Sequence, residues 1–457
     1  MPSIRDRIDT VVYVMMENRS FDHMLGHLSY DRILPEADGL VPPVRQEAYE
    51  NLMGGDTYYP FKHRVDNRLG FDLPHEWQEV AAQLAYSKVT KRHTMSGFVE
   101  SFVKHARLTD PGYDPGARPD PLGFFPERLV PIHSFLAQNF TVCDRWFCPL
   151  PAATQPNKTF ALCGFTPYHE NQTLISVDTI LLDWLERRQV RWRVYHDGLS
   201  FFALYPRAWR HVLSSRFRDI EFLLHDCLDE ADATFPQVII VEPSYESAPH
   251  IGPDQPNDNH APLPVGFGEE FLRRVYEAVS ANADRWRRTV LIVSYDEHGG
   301  FWDHVPPLRI PYTTTGTPPH TFETTGVRVP ALIVSPLVEP GSVCHKPMDH
   351  SAPLQLLGEL FGHQGKYSRP VTERAAQGLA SVADALTRQV PRDDRPAAPS
   401  VAIQAGATLE TRLAPQDPMQ TAFETAALQL LEKEPAGTAA KYPEVVHWKH
   451  AKDRAEG

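Results

Sequence analysis

The chain has 457 residues, of which 42% are hydrophobic and 23% are charged, and this composition is typical of a globular protein with one large domain or two smaller ones. Its net charge of −13 argues against general binding to nucleic acid or anionic membranes, because phosphate groups attract surfaces rich in lysine and arginine. The mean hydropathy is −0.36 and no apolar run approaches the roughly 18 residues of a membrane span, so no transmembrane segment is predicted.

Neither an export signal nor a disulfide framework is visible in the sequence pattern. The N-terminus, MPSIRDRIDTVVYVMMEN, lacks a basic segment followed by a long apolar stretch and a small-residue cleavage site. Five cysteines without CxxC spacing fit a reducing compartment better than a set of disulfides: Cys143, Cys148, Cys163, Cys227 and Cys344. We therefore expect either a cytoplasmic protein or one that is exported by a leaderless route.

Four short apolar runs, rich in β-branched residues, predict buried parallel strands at Thr10–Met16, 237–241, 289–294 and 328–335. Between the second and the third run, residues 268–282 have an acidic first turn and a single apolar stripe, which predicts a helix. Alternating strands and helices predict an α/β fold with a central, mostly parallel sheet that is covered by helices.

Proline-rich loops and a distinct tail complete the predicted organisation. Long irregular stretches such as residues 110–126 are expected to decorate the sheet and shape a pocket. Near residue 389 the sequence becomes rich in proline, alanine and charge, and one further helix is predicted around residues 418–434. We therefore predict a main domain of residues 1–385 and a tail of residues 386–457.

Oxygen-bearing side chains stand where the predicted strands end. Glu17 and Asn18 follow the first strand, Glu242 the second, and Asp296, Glu297 and His298 the third. In an open α/β sheet the ligand crevice lies outside those ends, where gathered carboxylates repel one another unless a cation neutralises them. The pattern predicts a metal: the oxygen ligands favour calcium, magnesium or manganese, and nearby histidines leave zinc or iron open.

The run of Asp296, Glu297 and His298 is the strongest part of this pattern. A single acid at a strand end is usually a solvated loop residue or a helix N-cap. Here two acids and an imidazole stand together, followed by Gly299 and Gly300, where a missing side chain lets a ligand approach closely. The combination favours a metal role over a simple turn.

Thr154, in the segment PAATQPNKTF, has two interpretations. It stands two residues before Pro156 and a helical stretch follows, so spacing alone favours a structural N-cap. A hydroxyl at a helix N-terminus beside a divalent ion can also be activated to attack phosphorus. A similar choice applies to four histidines, which are usually structural when single and could together contact phosphate or protonate a leaving group: His75, His260, His298 and His304.

Eight short motifs, spanning roughly residues 10 to 365, resemble those of one known family in their order: MENRSFDHMLG, PHEW, MSGFVES, FTVCDRWFCPLPAATQPNKTF, NDNHAP, YDEHGGFWDHVPP, GVRVPALIVSPLV and DHSAPLQLLGELFG. That family is the phosphoesterases, which include bacterial and plant non-specific, phosphatidylcholine-hydrolysing phospholipases C and bacterial acid phosphatases. Each motif is short, but the set is highly specific.

The resemblance implies a role for each matching position and a fold similar to alkaline phosphatases. It implies that Glu17, Asn18, Asp296 and Glu297 bind a divalent metal such as calcium, magnesium or zinc, and that Thr154 is the nucleophile. It also implies that His75, His260 and His298 surround the phosphate, with Asn157, Lys158 and His304 as further phosphate contacts. Lys158 departs from the family, where arginine is common, and keeps the charge but loses the bidentate fork.

The activity implied by the resemblance is that of a metal-dependent phospholipase C, which releases diacylglycerol and a phosphorylated headgroup through a phosphothreonine. An acid phosphatase with the same site is the nearest alternative, and a non-catalytic metal-binding or effector protein is an alternative of another class. The implied partner is a phospholipid or another phosphoester, with peripheral membrane contact and without nucleic acid. Two aromatic pairs would favour lipid if they faced the crevice, although such pairs are more often core: Trp146 with Phe147, and Phe201 with Phe202.

The long C-terminal modules of haemolytic bacterial relatives are absent from this sequence, as is the usual export leader. The unfamiliar tail of residues 386–457 stands in place of those modules. Both departures concern substrate preference and localisation more than chemistry.

Overall fold

The β-branched apolar runs form the middle of one sheet in the computed structural model, which describes residues 3–66, 69, 72–249, 255–403 and 418–456. The eight strands of this sheet are β1 (Thr10–Met16), β2 (Thr141–Cys143), β3 (Trp192–His196), β4 (Phe217–Asp219), β5 (Val238–Glu242), β6 (Thr289–Tyr295), β7 (Ala331–Val334) and β8 (Ser342–Cys344). The predicted strands β1, β5 and β6 are confirmed, with small shifts at the ends of the last two.

The strands lie in the order β4-β3-β5-β1-β6-β7-β2-β8. Neighbours are parallel except where β7 pairs with β6 and with β2, so the mostly parallel sheet is confirmed. The prediction that residues 328–335 form a parallel strand is wrong in its direction. A parallel neighbour needs a crossover, usually a helix, to return the chain, and residues 296–330 between β6 and β7 contain no helix.

Helices pack around the sheet. Those of seven or more residues are α1 (Trp77–Leu84), α2 (Phe98–Thr109), α3 (Pro131–Asn139), α4 (Thr154–Cys163), α5 (Leu181–Arg187), α6 (Leu223–Asp229), α7 (Gly266–Val279), α8 (Ser351–Phe361), α9 (Arg369–Ala376), α10 (Pro418–Lys433), α11 (Pro435–Lys441) and α12 (Pro443–Glu456). Shorter helices are Ile4–Arg7, Phe21–Leu25, His27–Tyr30, Trp209–Val212 and Ala283–Trp286. The helix predicted at 268–282 is α7. Among the described helices, none has both the length and the apolar character that a membrane crossing requires.

A second, smaller core lies outside the sheet. Its buried side chains include Leu73, Phe98, Phe102 and Trp302. Four two-stranded pairings accompany the loops: Asn51–Met53 with Asp56–Tyr58, Phe61–Lys62 with Gly123–Phe124, Tyr86–Ser87 with Arg92–His93, and Tyr312–Thr313 with Thr321–Phe322. Because Trp302 belongs to the connection after β6, this second core is attached to the sheet close to the end of that strand.

The described part of the tail contains three helices where the sequence predicted one. α10 coincides with the predicted helix, and α11 and α12 follow it after short breaks at proline residues. Met419, Phe423 and Tyr442 are buried in the same core as the central sheet. The division near residue 385 stays a prediction from composition, and the described part of the tail packs against the main body.

Candidate active site

Two neighbouring parallel strands bring acidic residues together. β1 and β6 pair in register as far as Met16 and Tyr295, so Glu17 and Asp296 leave the sheet side by side. These two carboxylates and that of Glu297 are at most 1% exposed. The carboxyl ends of adjacent strands thus form an acidic crevice, as the geometry of open α/β sheets predicts.

Asn18 connects the predicted metal ligands to the predicted nucleophile. Its φ of +60° lies in the left-handed region, which asparagine adopts more readily than most residues. Its backbone N–H donates to Asp296 Oδ1 at 3.0 Å, and its side-chain oxygen accepts a hydrogen bond from Thr154 Oγ1 at 3.3 Å. One residue therefore holds a carboxylate and a hydroxyl in the same place.

Thr154 is the first residue of α4, and the N-cap of that helix is Ala153. The threonine side chain therefore does not serve as the cap, and its hydroxyl is directed to Asn18 instead. The preceding loop is fixed by Asn157, whose side-chain nitrogen donates to the carbonyls of Ala152 (2.7 Å) and Ala153 (3.1 Å). Asn157 thus positions the loop that precedes Thr154, and its contact with phosphate stays a prediction.

Gly299 and Gly300 admit protein backbone where the sequence suggested room for a ligand. Gly299 has φ +59°, and a Cβ there would lie 2.2 Å from the carbonyl oxygen of Asn18. Gly300 has φ +74°, and a Cβ there would lie 2.7 Å from the carbonyl oxygen of Pro74. The close approach is made by the segments that carry Asn18 and His75, so the two glycines bring these segments to the end of β6.

The acidic crevice has unsatisfied buried oxygens. Asp296 Oδ2 and Glu297 Oε1 are buried and have no hydrogen-bond partner among the residues that the structure describes. Burial, and then the charge of Glu17, raise the pKa of Asp296 well above its ordinary range. A hard divalent cation would supply the coordination and the charge that these oxygens lack. The donor set of Glu17, Asn18, Asp296 and Glu297 therefore fits a divalent metal.

Lys158 places a positive charge against this acidic set. Its Nζ lies 2.6 Å from Glu17 Oε1, and the lysine side chain is only 3% exposed. The same ammonium lies over the rings of Tyr245, at 4.2 Å, and Phe201, at 4.9 Å, as in a cation–π contact. Lys158 is thus held by a predicted metal ligand and two aromatic rings, and its contact with phosphate stays a prediction.

His75 and His260 flank the amide of Asn18. The Asn18 side-chain nitrogen lies 2.8 Å from His260 Nε2 and 3.5 Å from His75 Nε2. Burial lowers the pKa of His75, but the charges of Glu297 and Asp72 outweigh burial and raise this pKa to about 9. Burial also opposes protonation of His260, whose pKa is nevertheless raised well above its ordinary value, first by Asp72 and then by Glu17. The acidic neighbours of His75 therefore favour its protonated form, whereas His260 Nε2 lies against the amide nitrogen of Asn18 and accepts its hydrogen bond.

The other two predicted histidines have different partners. His298 lies 3.0 Å from Glu297 Oε2 through Nδ1 and 2.7 Å from Gln83 Oε1 through Nε2, so it supports a predicted metal ligand from behind. His304 instead contacts Asp22 at 2.6 Å and Asp38 at 3.3 Å. His304 thus belongs to a separate acidic network, and the contacts of His298 and His304 with phosphate stay predictions.

Glu242, the strand-end acid of β5, stands apart from the acidic crevice. Val241 pairs with Val14, so Glu242 is level with Met15, two residues before Glu17. It accepts a hydrogen bond from the Ser200 hydroxyl, and burial raises its pKa to about 7. Because β5 ends two residues before the level of Glu17, Glu242 does not reach the acidic crevice.

Two aspartates near the histidines were not singled out from the sequence. Asp72 lies 3.5 Å from His260 Nε2, and Asp258 joins Glu17 and His260 in a group whose ligating atoms lie within 4.8 Å of one another. Asp72, His75 and His260 form a second such group. The available signal was spacing, since Asp72 stands three residues before His75 and Asp258 two residues before His260.

Comparison with known proteins assigns the chain to a family. The model of the phosphoesterase family matches residues 8–364. The chain belongs to the phosphoesterase family. It is accordingly a phosphoric ester hydrolase, and its acidic crevice, Thr154 and His75 all lie within the matched residues.

Relatives of this phosphoesterase are found in plants and bacteria. It is 28% identical to non-specific phospholipase C1 of Arabidopsis thaliana over 86% of this chain and 74% of that protein. Non-specific phospholipase C3 of the same plant is 30% identical over 74% of this chain and 65% of its own length. Phospholipase C B of Mycobacterium tuberculosis (strain ATCC 25618 / H37Rv) is 27% identical over 78% of this chain and 73% of that protein.

Two solved structures show distant similarity to this phosphoesterase. A protein in the alkaline phosphatase superfamily from Vibrio parahaemolyticus has a TM-score of 0.33 at 11% identity, over 69% of this chain and 82% of that chain. A phosphonate monoester hydrolase from Silicibacter pomeroyi has a TM-score of 0.29 at 12% identity, over 58% and 73%.

Proposed function

We propose that this protein is a metal-dependent phospholipase C, which cleaves glycerophospholipids to diacylglycerol and a phosphorylated headgroup through a phosphothreonine. The observation that carries the proposal is the hydroxyl of Thr154, which begins α4 and bonds to Asn18 beside the carboxylates that end β1 and β6. The phospholipase C relatives from a plant and a bacterium support a lipid substrate.

In the first step Thr154 Oγ1 gives up its proton to solvent and attacks phosphorus, the bond from phosphorus to the diacylglycerol oxygen breaks, and His75 protonates that oxygen. In the second step water gives a proton to His75 and attacks the same phosphorus, the bond to Thr154 breaks, and the threonine oxygen regains a proton from solvent as the phosphorylated headgroup leaves. The N-terminus of the ten-residue helix α4 favours negative charge developing at this position. Splitting one displacement into two easier ones is the general advantage of a covalent intermediate.

His75 is the proposed donor of the proton to the leaving diacylglycerol oxygen. Its Nδ1 donates to the carbonyl of Leu73 at 2.7 Å, which leaves Nε2 facing Asn18. His75 is only partly buried, whereas His260 is 2% exposed and lies between Glu17 and Asp72. His75 therefore stands where a bulky leaving group can reach it, and His260 orients the amide of Asn18.

Glu17, Asn18, Asp296 and Glu297 would hold the divalent ion in this proposal. When bound there, such an ion would lower the pKa of the attacking hydroxyl and neutralise charge on the nonbridging oxygens. The two buried carboxylate oxygens that lack partners in the described part of the chain support this assignment. Lys158 already neutralises part of the charge of Glu17.

The aromatic pairs do not support a lipid-lined crevice. Trp146, Phe147, Phe201 and Phe202 are at most 1% exposed, which confirms the interpretation that they are core. The choice of a lipid diester therefore rests on the relatives, and the experiment has to separate diester from monoester.

The deciding assay compares phosphatidylcholine, phosphatidylethanolamine and p-nitrophenyl phosphate with metal-stripped and metal-restored protein. We expect metal-dependent release of diacylglycerol. Activity on the monoester alone would move the assignment to a phosphatase. No activity on any of the three substrates would favour a non-catalytic role.

The nucleophile is tested by Thr154→Ala, which should remove steady-state turnover while the protein stays folded. The matched control is Thr159→Ala in the same helix, whose buried hydroxyl bonds to Tyr205 Oη at 3.0 Å. Loss of that bond should cost about 1 kcal/mol of stability and leave turnover in place. Measurable turnover by the Thr154 variant would exclude the threonine as nucleophile.

A further inference from the structure

A basic hairpin follows helix α1, which begins two residues after His75. It consists of the strands Tyr86–Ser87 and Arg92–His93 with the turn between them. Lys88, Lys91 and Arg92 are exposed, and Val89 at the turn is 93% exposed. No aspartate or glutamate occurs between residues 80 and 99, although the whole chain carries a net charge of −13. The hairpin is therefore a local reversal of the charge of the molecule.

A fourth cation from a distant part of the chain joins the basic hairpin. The exposed Arg309 donates through Nη2 to the carbonyl of Lys91. Among the described residues, no ion pair is formed by Lys88, Lys91, Arg92 or Arg309, whereas exposed cations such as Lys104 and Arg274 have acidic partners. Unpaired cations that converge from two segments indicate a surface made for an anionic partner.

We infer that the basic hairpin is a docking surface for the anionic face of a lipid bilayer. This inference rests on the proposed function, because a phospholipase has to reach lipid that is packed in a membrane. The exposed Val89 and Tyr86, which is 52% exposed, stand among the cations and give the apolar contact that a bilayer interface accepts. A nucleic acid would gain from the cations but not from an apolar turn.

The net charge of the molecule makes the hairpin an orienting device. A protein with a charge of −13 is repelled by an anionic surface in most orientations, and attraction acts only within about a Debye length, roughly 8 Å at physiological salt. The four cations are therefore effective only when the hairpin faces the bilayer. Repulsion of the remaining surface then favours the one orientation that brings the hairpin to the lipid.

The basic hairpin is coupled to the active site by the short helix α1. This helix joins the segment of His75 to the hairpin, and its eight residues span about 12 Å at 1.5 Å per residue. At its end Gln83 bonds both to His298 and to the carbonyl of Pro74, at 2.7 Å and 2.6 Å. A phospholipid in a bilayer that contacts the hairpin would therefore lie close enough for its headgroup to reach His75.

The test measures sedimentation with vesicles of phosphatidylcholine, with and without phosphatidylserine, using the full chain. The charge reversal Lys88→Glu with Lys91→Glu should weaken binding to vesicles that contain phosphatidylserine at least about 25-fold, since each basic residue near an anionic surface contributes about fivefold. The control is Arg32→Glu with Lys366→Glu, which makes the same change of charge at exposed residues elsewhere; Arg32, like Lys91, has a positive φ. The control should bind as the parent protein does.

Two further measurements separate the hairpin from the chemistry. Val89→Trp should tighten vesicle binding, because tryptophan prefers the membrane interface. Diacylglycerol release from monodisperse short-chain phosphatidylcholine should respond to the charge reversal by less than about threefold, well short of the roughly 25-fold loss of vesicle binding. An equal loss in both assays would overturn the docking role, as would equal weakening by the control.

Failure of this inference is distinguishable from failure of the proposed function. A protein that hydrolyses short-chain phosphatidylcholine but ignores vesicles, or that binds acidic polymers such as DNA instead, overturns the docking inference alone. A protein that binds vesicles through the hairpin but releases no diacylglycerol supports docking and overturns the phospholipase assignment.

Discussion

Only one of the two carboxylate oxygens of Asp296 accepts hydrogen bonds from the described residues. Its Oδ1 accepts hydrogen bonds from the amides of Asn18 and Glu297, at 3.0 Å and 2.7 Å, whereas Oδ2 has no partner in the part of the chain that the structure describes. A buried charge in this state opposes folding, because desolvation disfavours the ionised form. The metal-free protein therefore carries a cost at this residue that a bound cation would remove.

We expect Asp296→Asn to raise the melting temperature of the metal-free protein and to abolish its stabilisation by metal. The pKa of Asp296 is raised, so stability falls as pH rises above the unfolded value of about 3.9, and the amide removes this loss. In the parent protein, a metal at a hundredfold excess over its Kd should add about 2.7 kcal/mol. Thermal unfolding in EDTA and in Mn²⁺ measures both effects. An unchanged metal response would exclude Asp296 as a ligand.

His304 belongs to a charge network that includes Arg328. Arg328 is fully buried and lies 3.1 Å from both Asp22 and Asp303. Burial lowers the pKa of His304, but Asp22 and Asp38 outweigh burial and raise this pKa to about 9. A histidine with a raised pKa stabilises the fold fully below its unfolded pKa of about 6.5, and this contribution is lost as pH rises through about 9.

We expect His304→Gln to flatten the alkaline side of the stability profile. The shift corresponds to on the order of 3 kcal/mol, present in the parent protein near neutral pH and below and absent above about pH 10. Urea unfolding across that pH interval gives the difference between parent and variant. His225→Gln is the control, since that side chain is 71% exposed, and it should leave the profile unchanged. If the unfolding free energy of parent and His304 variant depended on pH in the same way, the stabilising role of His304 in this network would be contradicted.

The helix α10 supports the acidic crevice from outside the family region. The ring of Phe423 in α10 is fully buried, stacks on Tyr245 at 5.5 Å and lies 6.4 Å from Phe201. These two rings cover the ammonium of Lys158, which in turn pairs with Glu17. A chain of packed side chains thus joins the tail to a predicted metal ligand.

Phe423→Ala is expected to weaken metal binding several-fold in addition to its cost in stability. Removing the ring loosens Tyr245 and Phe201, so the charge of Lys158 against Glu17 is less well placed. The control is Leu430→Ala in the same helix, which is equally buried and should also cost about 2 to 5 kcal/mol. Calorimetric titration with Mn²⁺ compares the two variants. If both variants changed metal affinity equally, Phe423 would contribute only packing and would not position Lys158.

Strands were predictable from the sequence where they are long and buried on both faces. β1 and β6 are seven-residue runs with almost every residue buried, and the sequence shows them directly. β2 and β8 have only three residues each, and β3 carries the partly buried Arg193 as its second residue. Short strands are determined by pairing with distant segments, which local apolar patterns do not record.

The acidic crevice was predictable for a similar reason. Glu17, Asn18, Asp296 and Glu297 follow recognisable strands directly, so strand position alone brings them together. Asp72 and Asp258 lie in irregular segments whose paths depend on contacts such as those of the glycines with Asn18 and Pro74. The positions of His75 and His260 beside Asn18 likewise required the folded chain.

On the scale of the whole molecule, the tail and the sheet share one core. Tyr442 in the tail is fully buried, its ring lies 5.0 Å from that of His196 at the end of β3, and its hydroxyl donates to the carbonyl of Val212. Phe423 belongs to the same buried core. The boundary that composition suggests near residue 385 therefore does not coincide with a gap in packing among the described residues.

A protein truncated after residue 385 is expected to lose stability and metal affinity together. The truncation exposes Phe201 and Tyr245, which the tail covers in the full chain. Calorimetry should give one cooperative transition for the full chain and a transition at lower temperature, or aggregation, for the shorter one. Two transitions in the full chain, with the lower one restricted to the tail, would show that residues 386–457 fold apart.

The reversed strand β7 has a consequence for the order in which the protein is made. β2, which precedes the helix of Thr154, pairs only with β7 and β8 in the described sheet. On the ribosome this strand has no neighbour until residue 334 of 457 has been synthesised. A nascent chain therefore lacks these sheet neighbours beside the helix of Thr154 until β7 has been made, and the proposed hydrolytic site can be completed only after that point.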